Sequence, residues 1–233
     1  MKIGLLGYGK MGKVIEKIAN KRGHDVVLAV NEEPSINDLK SVDVAIEFSI
    51  PSAACNNIRK CFSVNVPIVV GTTGWYNDFD EMVSQCKLKN QALFYATNYS
   101  VGVNIFWELN KKLAKLMNQQ EDYEVSLREI HHLQKLDAPS GTAITTAEQI
   151  ISAIDRKDTW GEGNDGVNNI VIHAEREGEV PGTHVVSYES DIDKLEISHE
   201  AKGREGFATG AVVAAEWILG KKGVFTMKDM LKF

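Results

Sequence analysis

The sequence predicts an α/β fold in two parts: a parallel sheet over residues 1–100, joined by the tail at 206–233, and an α+β region with a mixed sheet over 101–205. Three observations carry this. Short apolar strands alternate with helical stripes as far as residue 100, the pattern of a parallel sheet with right-handed crossovers. After residue 100 strands follow one another, with turns at Pro181-Gly182 and at 191–193. An alanine-rich apolar helix at 207–219 comes late in the chain and is expected to return to the first part.

Residues 3–6 read as a short buried strand that runs into Gly7-Tyr8-Gly9-Lys10-Met11-Gly12, a G-x-G-x-x-G. Met11, Val14, Ile15, Ile18 and Ala19 then recur at helical spacing, Gly23 stops the helix, and 26–30 make a second strand. A glycine motif placed between strand and helix points to a Rossmann-type dinucleotide domain. Gly7 permits the tight turn, Gly9 lets backbone approach a pyrophosphate, and Gly12 lets the helix pack closely. Free N–H groups and the helix dipole there favour an anion. The same glycines would also serve a plain turn. The second strand ends in Asn31-Glu32-Glu33. An acid there would bind a ribose 2′-OH and repel a 2′-phosphate, while Lys10 or Lys13 could hold a phosphate, so NADH and NADPH both stay open.

Strands are expected at 42–48, 67–70 and 92–96, with helices at 52–63 and 77–88. Ligands of such sheets sit beyond the carboxyl ends of the strands. The loop 7–12, the strand end at Phe48-Ser49, Gly71-Thr72-Thr73-Gly74 and Thr97-Asn98-Tyr99-Ser100 should therefore line one crevice. Further on, Ile105, Leu109, Leu113 and Leu116 mark a helix over 102–117, and 123–130 reads as a strand. Ala143, Ala147, Ile150, Ile151 and Ile154 mark another helix, 155–169 reads as a polar loop, and strands follow at 169–174, 184–188 and 194–199.

Between the strand at 123–130 and the next helix lies HHLQKLDAPSGTA, residues 131–143. Pro139 disfavours helix at Ala138. Ser140, Gly141 and Thr142 then offer N–H groups and hydroxyls at a helix start, a carboxylate site, and Lys135 adds a positive charge. A histidine handles a proton near neutral pH. The set reads as a small anion's carboxylates held by Gly141, Thr142 and Lys135. It reads equally as two partly exposed polar histidines. No metal is expected: neighbours in a strand point to opposite faces, and no carboxylate or cysteine stands at zinc spacing.

The formal net charge of −6 argues against nonspecific nucleic-acid binding. Cys55, Cys61 and Cys86 form no disulfide framework or metal motif, which suggests a reducing compartment. Gly4 and Gly7 keep the first apolar run too short for a signal peptide, and no run approaches the roughly 20 residues of a membrane span. A cytoplasmic protein is expected.

The run EIHHLQKLDAPSGTA at 129–143 closely resembles the signature of the 4-hydroxy-tetrahydrodipicolinate reductases (dihydrodipicolinate reductases) of bacterial lysine and diaminopimelate synthesis. GYGKMG at 7–12, GTTG at 71–74, ATNYSVGVN at 96–104 and FATGAVVAAEWILG at 207–220 match in order, so the resemblance spans nearly the whole chain. It implies His131 as proton donor and Lys135 as second catalytic residue, with His132, Ser140, Gly141, Thr142 and, more weakly, Arg204 at the substrate. It implies dinucleotide contacts at Gly7, Tyr8, Gly9, Lys10, Met11 and Gly12, at Gly71, Thr72 and Thr73, and at Ala96, Thr97, Asn98 and Tyr99. Asn31 and Phe48, at strand ends, join that set. NADH or NADPH would reduce a cyclic imine dicarboxylate, in a homotetramer built through the second sheet. The chain departs from the family where Asn31 replaces an acid and Glu32 stands where a basic residue is common. A related diaminopimelate or aspartate dehydrogenase would share the glycine loop but lack the histidine–lysine signature. A non-catalytic dinucleotide sensor would tolerate changes at His131 and Lys135.

Overall fold

The structure, a computed structural model, describes residues 1–163 and 166–233. In chain order the elements are β1 (Lys2–Leu6), α1 (Lys10–Lys21), β2 (Asp25–Val30), α2 (Ile36–Leu39), β3 (Val44–Glu47), α3 (Pro51–Ser63), β4 (Ile68–Val70), α4 (Phe79–Leu88), β5 (Ala92–Tyr95) and α5 (Val101–Met117). There follow β6 (Glu124–His131), α6 (Gly141–Ile151), β7 (Thr159–Gly161), β8 (Asn169–Arg176), β9 (Thr183–Glu189), β10 (Lys194–Glu200), α7 (Glu205–Ile218), β11 (Gly223–Phe225) and α8 (Met227–Leu231). They form two compact units, Met1–Val101 with Arg204–Phe233, and Gly102–Gly203.

In the first unit six parallel strands run in the order β11-β5-β4-β3-β1-β2. Their sequences are near-continuous apolar runs because both faces of the sheet are covered. Ile3, Leu5, Val44, Ile46, Val69 and Phe94 pack with Ile15 and Ala19 of α1 and the alanines of α7. Leu6, Ala45, Ile68, Val70 and Leu93 pack with Ala54, Ile58 and Cys61 of α3 and Met82 and Cys86 of α4. Truncating a fully buried side chain such as Phe94 would cost about 3–5 kcal/mol. The alanines of α7 let it lie close, and at Gly210 a Cβ would fall 1.7 Å from the Tyr99 carbonyl oxygen.

The second unit holds a five-stranded sheet in the order β10-β9-β6-β8-β7. β6 and β8 pair in parallel, as do β7 and β8, while β6, β9 and β10 are antiparallel, so the sheet is mixed. Along β6, Val125, Leu127, Glu129 and His131 are buried and alternate with more exposed residues, the period of a strand with one covered face. Leu127, Ile172, Val186 and Tyr188 of that face pack with Phe106 and Ala114 of α5 and Ala143, Ala147 and Ile150 of α6.

Several details differ from expectation. β3 is shorter than 42–48, although Asp43 and Phe48 still donate to the Lys2 and Leu6 carbonyls at its ends. Part of the expected loop at 155–169 forms β7, which pairs with β8; its Asn164 and Asp165 lie outside the described residues. α2, β11 and α8 span three to five residues each, too few to carry a period. Among the described residues no helix is long and apolar enough to cross a membrane.

Candidate active site

The first unit's strand order reverses at β1, whose neighbours are β2 and β3. A cavity of about 550 Å³ lies at those strand ends, lined by Gly7, Gly9, Asn31, Glu32, Glu33, Phe48 and residues of the 49–57 segment. Gly7 has φ +100°, and a Cβ there would fall 2.2 Å from the Phe48 carbonyl oxygen. A Cβ at Gly12 would fall 2.5 Å from the Gly7 oxygen, whereas Gly9 faces open space. Asn31 Oδ1 accepts the Tyr8 N–H at 2.7 Å, tying the glycine loop to β2. This backbone cradle, open at Gly9 beside the start of α1, fits the pyrophosphate of a dinucleotide.

At the rim Glu32 is exposed, and Glu33 pairs with Lys60 at 2.6 Å and with Asn56 at 2.7 Å. The Lys60 and Asn56 bonds hold the Glu33 carboxyl below its usual range. Lys60 also donates to the Pro34 carbonyl, so its ammonium is engaged. Behind the cavity Glu47 is fully buried and accepts from the Ser49 hydroxyl, from the Ser49 N–H at 3.1 Å and from Asn57 at 3.4 Å. Burial raises its carboxyl pKa despite those bonds.

Of the expected cofactor residues, the cavity gathers Gly7, Gly9, Asn31 and Phe48. Tyr8, Lys10, Met11 and Gly12 belong to the same turn and helix start without lining it. Gly71 stands against the Phe48 ring, where a Cβ would fall 2.2 Å from Cζ. Thr72 is buried, its hydroxyl oxygen accepting the Ser49 N–H at 2.8 Å. Tyr99 is buried and donates to the Val70 carbonyl at 2.7 Å, and Asn98 accepts the Ser100 N–H at 2.9 Å. These residues brace the strand ends. Thr73 and Thr97 are exposed, and Ala96 is half-buried.

In the second unit the sheet register builds a polar row onto the end of an apolar face. β6 and β9 align Leu127 with Val186 and Glu129 with His184; β9 and β10 align His184 with His199. β6 and β8 align His131 with Arg176. Glu129, His131 and His184 are 0%, 7% and 6% exposed, so their polar atoms depend on one another. Glu129 Oε1 accepts the Ser140 N–H at 3.0 Å, with both terminal nitrogens of Arg176 at 3.4 Å. Glu129 Oε2 lies 3.5 Å from His131 Nδ1 and 3.6 Å from His184 Nε2.

Ser140 caps α6, its hydroxyl oxygen accepting the Ala143 N–H at 3.2 Å and lying 3.2 Å from His184 Nε2. The first N–H groups of α6, at Gly141 and Thr142, have no partner within the helix. Arg176 also donates to the Asp137 carbonyl at 2.6 Å, which ties the 132–140 loop down. Within that loop the Ala138–Pro139 peptide is cis and Lys135 Nζ holds both Asp137 carboxylate oxygens. His132 lies beyond the end of β6 and is half-buried. Arg204 is exposed, beside α7 in the first unit.

Burial would raise the Glu129 carboxyl, but the nearby His184 imidazole, the Ser140 N–H and the charge of His131 outweigh it, bringing it to about 2. Burial lowers His131; Glu129 opposes this, while His184, Lys135 and Arg176 add to it, leaving about 4. The cluster thus holds one buried anion beside a neutral imidazole, with the charges of Lys135 and Arg176 close by. Glu129, His131 and His184 also offer ligand atoms within 4.8 Å of one another, a trio that could hold a metal ion. Glu129 was within reach of sequence reasoning, because it stands two residues before His131 on the same strand face. His184 and Arg176 were not, since only the register brings them there.

Comparison with known proteins covers both units. Residues 1–99 match the family model described as "Dihydrodipicolinate reductase, N-terminus", and 102–231 the model described as "Dihydrodipicolinate reductase, C-terminus". A "4-hydroxy-tetrahydrodipicolinate reductase" of Christiangramia forsetii is 52% identical, over 99% of this chain and 98% of its own. Its namesake from Methanoregula boonei is 36% identical, over 88% and 81%. The solved structure of "Dipicolinate bound Dihydrodipicolinate reductase" from Paenisporosarcina sp. TG-14 superposes with a TM-score of 0.82 over 99% of each chain, at 20% identity, a likeness of fold.

Proposed function

This chain belongs to the dihydrodipicolinate reductase family, and from that premise we propose how its residues divide the work. It is an oxidoreductase that reduces 4-hydroxy-tetrahydrodipicolinate with a nicotinamide dinucleotide, in lysine biosynthesis. The first unit is the dinucleotide domain and the second receives the small dicarboxylate. Gly7, Gly9 and the start of α1 hold the pyrophosphate, and Phe48, Gly71 and Thr72 shape the wall behind it. When bound, the nicotinamide supplies a hydride.

The substrate's carboxylates are held by Lys135 and by the N–H groups of Gly141 and Thr142, with Ser140, His132 and Arg204 as further contacts. His131 gives its proton to the ring carbon that becomes electron-rich. Burial, with the charges of Lys135 and Arg176 behind it, depresses His131; the substrate's negative charges oppose this, so the imidazole takes up its proton as substrate binds. The observation that carries this reading is the buried His131–Glu129 pair, set before an N–H-rich helix start and joined to it by the loop that holds Lys135.

NADH is the preferred coenzyme in this reading. A 2′-phosphate at the end of β2 would meet Glu32 and Glu33, and the nearby Lys60 is already engaged. The protein acts as a homotetramer through the second unit's sheet, a reading supported by its outer face at Ser126, Arg128 and Ile130, which lies off the core. A cytoplasmic setting is supported by three free, buried cysteines.

The test follows NADH and NADPH absorbance while a dihydrodipicolinate synthase makes the substrate in the cuvette. Synthase-dependent oxidation, faster with NADH, is expected. His131→Ala should lower turnover about 10²–10⁴-fold and leave NADH binding intact. Unchanged turnover would remove His131 from the mechanism, and faster oxidation of NADPH would overturn the role given to Glu32 and Glu33.

A further inference from the structure

We propose that Glu129 is the positioning residue of this site: one buried carboxylate fixes the tautomer of His131 and, through Ser140, the start of the helix that receives the substrate. The proposal rests on His131 being the proton donor. The two carboxylate oxygens divide the task. Oε1 takes the Ser140 N–H, the last N–H before α6, and the Arg176 guanidinium. Oε2 lies 3.5 Å from His131 Nδ1 and 3.6 Å from His184 Nε2; His184 Nε2 already has the Ser140 hydroxyl at 3.2 Å, whereas His131 Nδ1 and Oε2 are both buried without a close hydrogen bond. Two buried polar atoms left over and set face to face are each other's partner once the site tightens around substrate.

The consequence lies at the other ring nitrogen. With Nδ1–H directed at Oε2, the exchangeable proton sits on Nε2. That nitrogen faces Gly182, where φ is +152° and a Cβ would come within 3.0 Å. At the transfer the Nε2–H bond breaks, its electron pair stays on the ring, and a C–H bond forms on the substrate carbon. His131 is left neutral with Nδ1–H in place, solvent returns a proton to Nε2, and Glu129 stays ionised throughout. The charged and titratable groups around the ring are Glu129 on β6, His184 on β9, Arg176 on β8, and Lys135 and Asp137 in the loop. His199 on β10 lies beyond His184 in the same row. Among them Glu129 holds the imidazolium up, against burial and the charges of Lys135 and Arg176. Arg176 balances Glu129 through Oε1.

The experiment measures kcat against pH for wild type, Glu129→Gln, Glu129→Asp and His131→Gln, with NADH binding as a control. Glu129→Gln keeps size and an acceptor for Ser140 but removes the charge. The expected result is a kcat lowered about 10²-fold or more, unchanged NADH affinity, and an alkaline limb moved to lower pH, because the imidazolium has lost its counter-charge. Glu129→Asp should recover part of both effects. An unmoved limb in Glu129→Gln, whatever its kcat, overturns the proposal. His131→Gln separates the two readings: if it turns over normally the proton donor is wrong, and if it alone is impaired only the positioning role is wrong. Should Glu129→Gln fail to fold, nitrogen NMR of histidine-labelled wild type decides. Nδ1–H on His131 at neutral pH is expected, and the Nε2–H tautomer, or a stoichiometric metal bound on the trio, overturns the proposal.

Discussion

Lys135 Nζ lies 2.8 and 2.7 Å from the two carboxylate oxygens of Asp137, two residues ahead in the same loop. The ammonium assigned to the substrate is therefore already satisfied by an internal carboxylate. Binding has to exchange one anion for another. Asp137 is exposed, and such a pair contributes roughly 0–1 kcal/mol. Asp137→Asn should lower KM for the dicarboxylate about 2–5-fold at low salt with kcat unchanged. The advantage should shrink as salt screens the wild-type pair. Steady-state kinetics at two ionic strengths test this, and a raised KM would mean that Asp137 orients Lys135 rather than competing for it.

Gly71 and Phe48 define a second relationship, since any Cβ on Gly71 would sit 2.2–2.6 Å from the Phe48 ring. Phe48 lines the cavity at the strand ends, to which the proposed function assigns the dinucleotide. Overpacking of this kind costs about 1–3 kcal/mol, which lowers Tm by roughly 2–4 °C per kcal/mol in a chain this long. Gly71→Ala should therefore weaken NADH binding and lower Tm together. Gly9→Ala should weaken NADH binding with Tm unchanged, because nothing lies within 4 Å of that Cβ. Fluorescence titration and thermal melts separate the two. A Gly9→Ala protein that binds NADH normally would remove that glycine from the phosphate site.

This contrast separates what local sequence dictates from what only the folded chain brings together. The glycine loop, the alternation through β5 and the loop that begins at His131 announce themselves because they depend on local period and turn chemistry. The partner that demands glycine at 71 lies on another strand, so the residue reads as small without its reason. Glu129 opens the signature run at 129–143, yet its own strand gives it no partner beyond His131. It becomes the centre of a network only when β8 brings Arg176 and β9 brings His184 into register. Tyr99 shows the opposite case: a residue in a recognisable motif turns out to hold the strand ends together through the Val70 carbonyl. Register and crossover packing are long-range facts, and a single strand's pattern fixes only which face each residue takes.

The same buried row sets how the protein meets acid. His131 titrates near 4 in the folded chain, below its ordinary 6.5. Between those values the unfolded chain binds a proton that the folded one refuses, so stability falls as pH drops through that window. Glu129 titrates near 2 against an ordinary 4.5, and the stability it contributes above 4.5 is lost as pH falls toward 2. The two losses overlap and have the same sign. Glu47 opposes them: burial raises its carboxyl, so its neutral form favours the folded state, and that contribution fades as pH rises past 4.5. Urea unfolding at steps from pH 7 to pH 4 should show a continuous decline. His131→Gln should flatten its upper part, from 6.5 downward, because the glutamine does not titrate. Glu47→Gln should steepen the decline by removing the opposing group. A His131→Gln profile that parallels wild type would mean that the imidazole is not held neutral in the fold, and with it would go the need for substrate to charge it.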